Sequence, residues 1–218
     1  MPPQPISFAR PLWIGLGLLA AGVLLGVGIA VGLGAQPWAI DAWWQDLLAG
    51  ARGPVLLAFA YGMDFLGGGW FAVWVVPLGG ALALLIARRP WGALLFLLAS
   101  MVSAGLVQVL KHAVGRARPE DMIVVSDYGS FPSGHVANAA TLAVVLWMLF
   151  PRLWVAIAGA GWVVLMAFSR TYLGAHWLSD TVGGALVGAA SALLVAAALA
   201  VPLAREDARV RPGAPSLE

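Results

Sequence analysis

The stretch PLWIGLGLLAAGVLLGVGIAVGLGA, residues 11–35, contains no charged side chain. A helix needs about 20 consecutive apolar residues to cross a bilayer, and this stretch is long enough. Because it is also longer than the apolar part of a secretory signal peptide, we interpret it as a retained membrane span. A cleaved signal peptide is the alternative.

The whole chain shares this apolar character. Of its 218 residues, 61% are hydrophobic and 10% are charged, whereas soluble domains are about 25% charged. Together with a mean hydropathy of +0.91, these values exclude a water-soluble fold and intrinsic disorder. The lack of cysteine excludes disulfides and thiolate chemistry. A formal net charge of +2 does not indicate a nucleic-acid partner.

Further apolar runs predict the fold. With the first stretch they indicate an all-α, integral membrane bundle of six transmembrane helices. We assign residues 1–204 to a single transmembrane domain and residues 205–218 to a polar, disordered C-terminal tail. The other five predicted spans are residues 70–87, 90–114, 135–150, 153–168 and 177–203.

The segment between the first two spans has a different pattern. In residues 36–52, aromatic and aliphatic side chains alternate with Asp41, Gln45 and Asp46, which is typical of an amphipathic segment lying in the membrane interface. Residues 54–69 are apolar but too short for a span, so we place them at or near the membrane surface. We expect Asp64 to lie in a solvated turn there.

Lysine and arginine residues in the loops predict the orientation, because cytoplasmic loops carry an excess of them. With the N-terminus in the cytoplasm, seven of these cations fall inside and five outside. Four of the five outer cations cluster with histidines near helix ends, which is typical of a binding site. We therefore expect an inner (plasma) membrane protein with both termini cytoplasmic and the polar cluster facing the periplasm or cell exterior.

Three groups of polar residues require an explanation, because ionisable side chains inside or beside membrane spans are costly and indicate function. The six-span topology places all three groups at the outer ends of helices. This convergence follows from the span order and does not depend on any motif. The groups are residues 111–119, 132–135 and 169–180.

Each spacing has a chemical interpretation. Lys111 and Arg118 are seven residues apart, so they share one face if the helix continues and can bind one anion. A helix that begins at Ser133 presents free backbone N–H groups to an anion. His176 and Asp180 are four residues apart, which brings a carboxylate within reach of an imidazole and fixes its tautomer. Together these groups suit phosphoryl transfer, whose transition state carries negative charge on oxygen.

The same residues resemble a known family. Residues 111–119 read K-x6-R-P, residues 132–135 read P-S-G-H, and residues 169–180 read S-R-x5-H-x3-D. These blocks, complete and in the right order, are similar to the motifs of the type 2 phosphatidic acid phosphatase (PAP2) family. That family shares its site with bacterial acid phosphatases and vanadium haloperoxidases, and the composition excludes a soluble haloperoxidase.

The resemblance implies a metal-independent lipid phosphate phosphatase without a cofactor. His176 would be the nucleophile that forms a phosphohistidine, Asp180 would orient it, and His135 would protonate the leaving group and later activate water. The implied substrates are undecaprenyl diphosphate, phosphatidylglycerol phosphate, phosphatidic acid or diacylglycerol diphosphate, presented in the bilayer. The phosphoryl oxygens would be held by Lys111, Arg118, Ser133, Gly134 and Arg170.

Other polar residues and other functions keep two interpretations. Arg116 is either a snorkelling anchor or a contact to a second phosphate or to glycerol, and we assign His112 to packing or the interface. The acidic residues of the 12-residue connection, Glu120, Asp121 and Asp127, form a solvated loop or, alternatively, repel soluble polyanions.

A phosphotransferase using the same phosphohistidine is the alternative enzyme. An anion transporter would spread its charges along a pathway, whereas these charges gather at one end. The sequence does not specify the oligomeric state.

Overall fold

The structure is a computed structural model that describes residues 9–32 and 36–210. Every regular element within those residues is helical, so the predicted all-α class is confirmed for this part of the chain. A π-helical turn, Phe71–Val75, leads directly into the fourth α-helix. The α-helices are α1 (Ala9–Gly32), α2 (Ala39–Gly50), α3 (Pro54–Gly67), α4 (Val76–Ile86), α5 (Pro90–Val114), α6 (Gly134–Leu149), α7 (Leu153–Tyr172), α8 (Leu178–Ala198) and α9 (Ala200–Val210).

Four of these helices, α1, α5, α7 and α8, are long and apolar enough to cross a membrane. Helix α3 and the segment Phe71–Ile86 form a fifth candidate, a broken pair bent by 44°. Helix α6 is apolar but has only 16 residues, which give about 24 Å of helix against roughly 30 Å of hydrocarbon. Length and composition thus support four or five spans among the described residues and do not confirm the predicted six.

Several predicted boundaries agree with the structure. The predicted span 90–114 has the same bounds as α5. The first predicted span, residues 11–35, corresponds to α1, although residues 33–35 lie outside the described part. Helix α5 begins with Pro90, whose missing N–H costs nothing in the first turn. It ends before Gly115, which has a φ of +60° and is suited to that left-handed conformation.

Helix α8 lies at the centre of the bundle, where it contacts α1, α5, α6 and α7. A side chain on Gly184 would collide with the carbonyl oxygen of Ser133, and one on Gly188 with that of Ala137. These small residues therefore allow close helix packing. The packing also brings the starts of α6 and α8 together, because the Ser133 N–H donates to the carbonyl oxygen of Asp180 at 3.0 Å.

Helix α2 carries the predicted amphipathic pattern, with two of its polar side chains turned inward. Asp41 and Gln45 are buried, whereas Ile40, Trp43 and Leu47 are exposed. An exposed apolar face suits a helix that lies against lipid. The buried face lets two polar side chains reach partners inside the protein.

Residues 54–69 differ from the prediction. Most of this segment is helix α3, which packs against α7 and α6 and buries Ala60 and Met63. Asp64 lies inside the helix, so the predicted solvated turn was wrong. The segment is too short to span alone, but the adjoining Phe71–Ile86 extends it.

The start of the predicted polar tail is helical. In α9, the Glu206 carboxylate is buried and accepts the backbone N–H groups of Trp91 at 2.7 Å and Gly92 at 3.0 Å. These are free N–H groups at the start of α5, where an acidic side chain is favourable. Disorder was therefore a wrong prediction for residues 205–210, and residues 211–218 lie outside the described part.

Candidate active site

The three motif groups meet at one end of the bundle. Lys111 lies in the last turn of α5, and Arg170 lies in the last turn of α7. Ser133 immediately precedes α6. His176 lies in the connection from α7 to α8, and Asp180 lies in the first turn of α8. The structure thus brings together residues that are distant in the sequence.

His176 is buried, with 2% of its surface exposed, and both ring nitrogens have neighbours. Nδ1 lies 2.7 Å from the carbonyl oxygen of Ser130. Because a carbonyl only accepts hydrogen bonds, Nδ1 carries the proton and Nε2 carries the lone pair. This lone pair accepts a hydrogen bond from Nη1 of Arg118 at 3.3 Å. Burial lowers the pKa of His176 to about 3, so the ring is neutral at physiological pH.

Asp180 acts on His176 less directly than the four-residue spacing predicts. Its Oδ2 lies 3.7 Å from Nδ1 of His176, which is beyond hydrogen-bond distance, because His176 precedes α8 and is not part of it. Oδ2 instead accepts the Ser130 hydroxyl and the Trp177 backbone N–H, the latter at 2.9 Å. Asp180 therefore holds Ser130, whose carbonyl oxygen in turn holds the imidazole.

Arg116 and Asp41 form a buried charged cluster with Asp180. All three side chains are inaccessible to solvent, and Arg116 pairs with Asp180 at 2.6 Å and with Asp41 at 2.7 Å. Asp41 also accepts the Ser179 backbone N–H at 2.8 Å and the Ser179 hydroxyl at 2.7 Å. Both interpretations of Arg116 were wrong, because its side chain turns into the protein. Sequence reasoning missed Asp41, although an ionisable residue in an apolar chain was an available signal.

Lys111 and Arg118 converge by a route that their spacing does not predict. The helix ends before Gly115, so Arg118 lies in the following loop and not on the face of α5. Both cations reach Asp127, whose Oδ1 lies 2.9 Å from Lys111 Nζ and 2.9 Å from Arg118 Nη2. Asp127 therefore lies in an exposed loop, as predicted, but its carboxylate also binds two cations of the site.

Asp64 binds Arg170 and His135 at the other side of the site. Its carboxylate accepts a hydrogen bond from Arg170 and lies 3.2 Å from Nε2 of His135. The backbone carbonyl oxygen of Asp64 also lies 3.2 Å from this nitrogen. Since both neighbours are acceptors, Nε2 carries the ring proton. Gly68 packs against the same ring, where any side chain would collide with it.

Two of the predicted phosphate-binding residues carry buried atoms without partners among the described residues. These atoms are Oγ of Ser133 and Nε of Arg170. Unsatisfied buried polar groups are uncommon in native proteins. Ser133 and Gly134 mark the start of α6, where the backbone N–H groups favour an anion. A phosphate at this helix start would offer acceptor oxygens to these donors.

The remaining polar residues lie outside this cluster. His112 is exposed, its Nδ1 donates a hydrogen bond to the carbonyl oxygen of Gln108 at 2.8 Å, and its ring packs on that of Tyr128. These contacts agree with a role in packing or at the interface. Asp121 pairs with Arg52 at 2.7 Å, so it too is more than a solvated loop residue. In the part of the chain that the structure describes, no group of three or more His, Asp or Glu residues is arranged to hold a metal ion.

A cavity of about 660 Å³ joins the polar cluster to the apolar surfaces of α4 and α5. Its polar end is lined by Lys111, Asp127, His135 and His176. Its walls are mainly apolar, and on α5 they extend as far as Leu97, about 21 Å from Lys111 along the helix axis. The cavity has room for a phosphate at one end and an apolar chain along its walls.

The helices and the site are those of a membrane protein that holds a neutral histidine beside cations suited to bind an anion. A comparison with known families matches residues 92–201 to PAP2, described as the PAP2 superfamily. The chain belongs to the PAP2 superfamily.

Similar proteins are phosphatases. Phosphatidylglycerophosphatase B of Bacillus subtilis is 33% identical over 147 residues, which are 63% of this chain and 72% of that protein. Lipid A 1-phosphatase of Rhizobium etli is 30% identical over 209 residues, which are 88% of this chain and 85% of that protein. Among solved structures, the transmembrane PAP2-type phosphatidylglycerolphosphate phosphatase from Bacillus subtilis has a TM-score of 0.73 and 26% identity, covering 91% of this chain and 100% of that one. This chain is accordingly a phosphoric monoester or diphosphate hydrolase.

Proposed function

We propose that this enzyme removes a terminal phosphate from a membrane lipid through a phosphohistidine on His176. The observation that carries the proposal is the unprotonated Nε2 of His176, which accepts a hydrogen bond from the Arg118 guanidinium at 3.3 Å at the polar end of an apolar-walled cavity. A neutral imidazole needs no additional base to act as a nucleophile. The apolar walls suit the hydrocarbon chain of a substrate that stays in the bilayer.

The chemistry proceeds in two displacements. Nε2 of His176 attacks phosphorus, the bond from phosphorus to the lipid oxygen breaks, and its electron pair leaves with that oxygen. A proton from His135 neutralises the leaving oxygen. Water then attacks the phosphohistidine, gives a proton to His135, and releases inorganic phosphate and the neutral imidazole. Lys111, Arg118 and Arg170 stabilise the charge on the phosphoryl oxygens in both transition states.

Asp64 is proposed as the positioning residue for His135. The Nε2 proton of His135 faces two oxygens of Asp64, which leaves Nδ1 as the nitrogen that exchanges a proton with the substrate. The Asp64 carboxylate stabilises the imidazolium that exists when both nitrogens are protonated, the same arrangement by which a carboxylate supports a catalytic histidine elsewhere.

The substrates proposed are phosphatidylglycerol phosphate, undecaprenyl diphosphate, phosphatidic acid, diacylglycerol diphosphate and the phosphates of lipid A. The names of the relatives support the first and the last of these. All carry a terminal phosphate on an apolar anchor, which the cavity accommodates. A phosphotransferase differs only in the acceptor that replaces water in the second displacement.

We also propose that six spans cross an inner (plasma) membrane, with both termini cytoplasmic. Helix α6 is counted as the sixth, since its 16 residues begin at Gly134 inside the site, slightly below the outer headgroups. The broken pair of α3 and Phe71–Ile86 is counted as one span. The active site then faces the periplasm or cell exterior, where a lipid phosphate reaches it without leaving the bilayer.

Phosphate release by the purified protein in detergent tests the function. Each lipid is offered separately, with EDTA present, to wild type, His176→Ala and the control His112→Ala, which removes an exposed histidine. Release should survive EDTA, remain within about twofold in the control, and fall at least about a thousandfold in His176→Ala. Comparable release by His176→Ala would contradict the phosphohistidine. Labelled phosphate that stays on the wild-type protein without release would indicate a phosphotransferase that lacks its acceptor.

A further inference from the structure

Two cations of the site, Lys111 and Arg118, share one carboxylate oxygen. Oδ1 of Asp127 lies 2.9 Å from both Lys111 Nζ and Arg118 Nη2. The cations are nearly buried, with side-chain exposures of 3% and 10%, whereas 52% of the Asp127 side chain is exposed. One anionic oxygen between two cations is the arrangement that a phosphoryl oxygen would adopt there.

Backbone carbonyls hold the cations independently of this carboxylate. Lys111 Nζ donates to the carbonyl oxygen of Gly129 at 2.9 Å. Arg118 donates to the same oxygen at 2.8 Å and also to the carbonyl oxygen of Ala175. Loss of the Asp127 side chain therefore leaves both cations anchored at the site.

The position of Asp127 allows its side chain to move away from the two cations and to return to them. It lies in the irregular connection between α5 and α6 and lines the same cavity as His135 and His176. Burial raises the pKa of its carboxyl, but the hydrogen bonds and charges of Lys111, Gln108 and Arg118 together outweigh burial, so the pKa is lowered overall. The side chain is therefore ionised at neutral pH and competes with any other anion for the two cations.

We propose that Asp127 is an internal competitor of phosphate, which occupies the anion site between turnovers and promotes release of the product. Two buried cations without a counter-ion are unfavourable, and Asp127 neutralises them when no phosphate is bound. An incoming phosphate must first displace the carboxylate. Its apparent affinity is therefore the intrinsic affinity multiplied by the fraction of sites that Asp127 has already left. After hydrolysis, the returning carboxylate displaces inorganic phosphate. This inference depends on the proposed function in one respect, namely that inorganic phosphate is the product of the reaction.

Binding of inorganic phosphate to purified Asp127→Asn tests this role without turnover. The amide keeps the size of the side chain and removes its charge. The dissociation constant of phosphate, obtained from the phosphate-dependent rise of the melting temperature in detergent, should fall about fivefold relative to wild type. Glu120→Gln is the matched control, because it removes one negative charge from an exposed position in the same loop. We expect it to change the constant less than twofold.

Unchanged or weaker phosphate binding by Asp127→Asn would overturn the proposal, since it would mean that the carboxylate does not compete or that it helps to build the site. Asp127→Ser provides the same measurement if the asparagine variant does not fold. Each variant is compared with its own phosphate-free melting temperature, so a general loss of stability does not affect the result. Failure of the proposed function is distinguishable, because it would appear as absence of lipid hydrolysis with this difference in phosphate binding intact.

Discussion

Acidic side chains outside the motifs neutralise the cations of the empty site. Asp127 binds Lys111 and Arg118, and Asp64 binds Arg170. Buried cations are costly without a partner, so these carboxylates allow the site to exist without phosphate. His176 lies beside these paired charges as a neutral ring whose Nε2 accepts a hydrogen bond from Arg118.

The protonation state of His176 is directly testable. Because burial lowers its pKa to about 3, the imidazole should remain neutral when the pH falls from 8 to 5. Nuclear magnetic resonance of the protein with isotope-labelled histidine rings measures this, and the signal of His176 is the one missing from His176→Gln. A titration midpoint near the ordinary histidine value of about 6.5 would contradict a buried, neutral nucleophile.

At the scale of elements, helices without any motif residue position the catalytic groups. Helix α2 supplies Asp41, which holds Arg116 and Ser179 beside the start of α8. Helix α3 supplies Asp64, and the break that follows it at Gly68 packs against His135. The segment 36–69 is therefore part of the structure around the candidate active site.

Asp41→Asn tests the contribution of α2. The amide still accepts the Ser179 N–H, but it removes the charge that pairs with Arg116 inside the protein. We expect kcat to fall about tenfold with KM within about threefold, because Arg116, the partner of Asp180, loses the charge of Asp41 that holds it in place. We also expect a destabilisation of about 3 kcal/mol, as for one partner lost from a buried ion pair. Steady-state kinetics and thermal unfolding in detergent measure the two effects.

Asp46→Asn is the control for that variant, because Asp46 lies exposed on the same helix. Its kcat and melting temperature should match those of wild type. If Asp41→Asn loses stability but keeps its kcat, the cluster anchors α2 without positioning Asp180.

At the scale of the whole molecule, the polar cluster and the α9 contacts lie at opposite ends of α5. Lys111 lies in the last turn of that helix, whereas Glu206 binds the N–H groups of its first turn. With the first end outside and the second inside, more of the arginines lie in the cytoplasm, in accordance with the usual charge distribution of membrane proteins.

Cysteine labelling tests this orientation, and the chain is convenient because it contains no cysteine. Asp46→Cys and Arg209→Cys each introduce one thiol at an exposed position. In spheroplasts, a membrane-impermeant maleimide should label Asp46→Cys at once and Arg209→Cys only after permeabilisation. The reverse pattern would place the active site in the cytoplasm and contradict the proposed topology.

Much of the fold and part of the site were predictable from local properties. Hydropathy indicated a helical membrane protein and matched the bounds of α5, because the transfer of apolar residues into lipid is a sum over one segment. The order of the predicted spans indicated that His135, His176 and the candidate phosphate-binding cations would gather at one end. The four-residue spacing of His176 and Asp180 was less informative, since it assumed a helix that begins only at Leu178.

Hydropathy and motif spacing are local properties, so they were sufficient to indicate a helical membrane protein of the PAP2 type. The pairing of carboxylates with cations, in contrast, depends on how distant parts of the chain pack. Arg116 and Asp41 are 75 residues apart, and Arg170 and Asp64 are 106 apart, so no periodicity relates them. Their pairing depends on how the helices pack, because a buried charge binds whichever opposite charge the packing brings within reach.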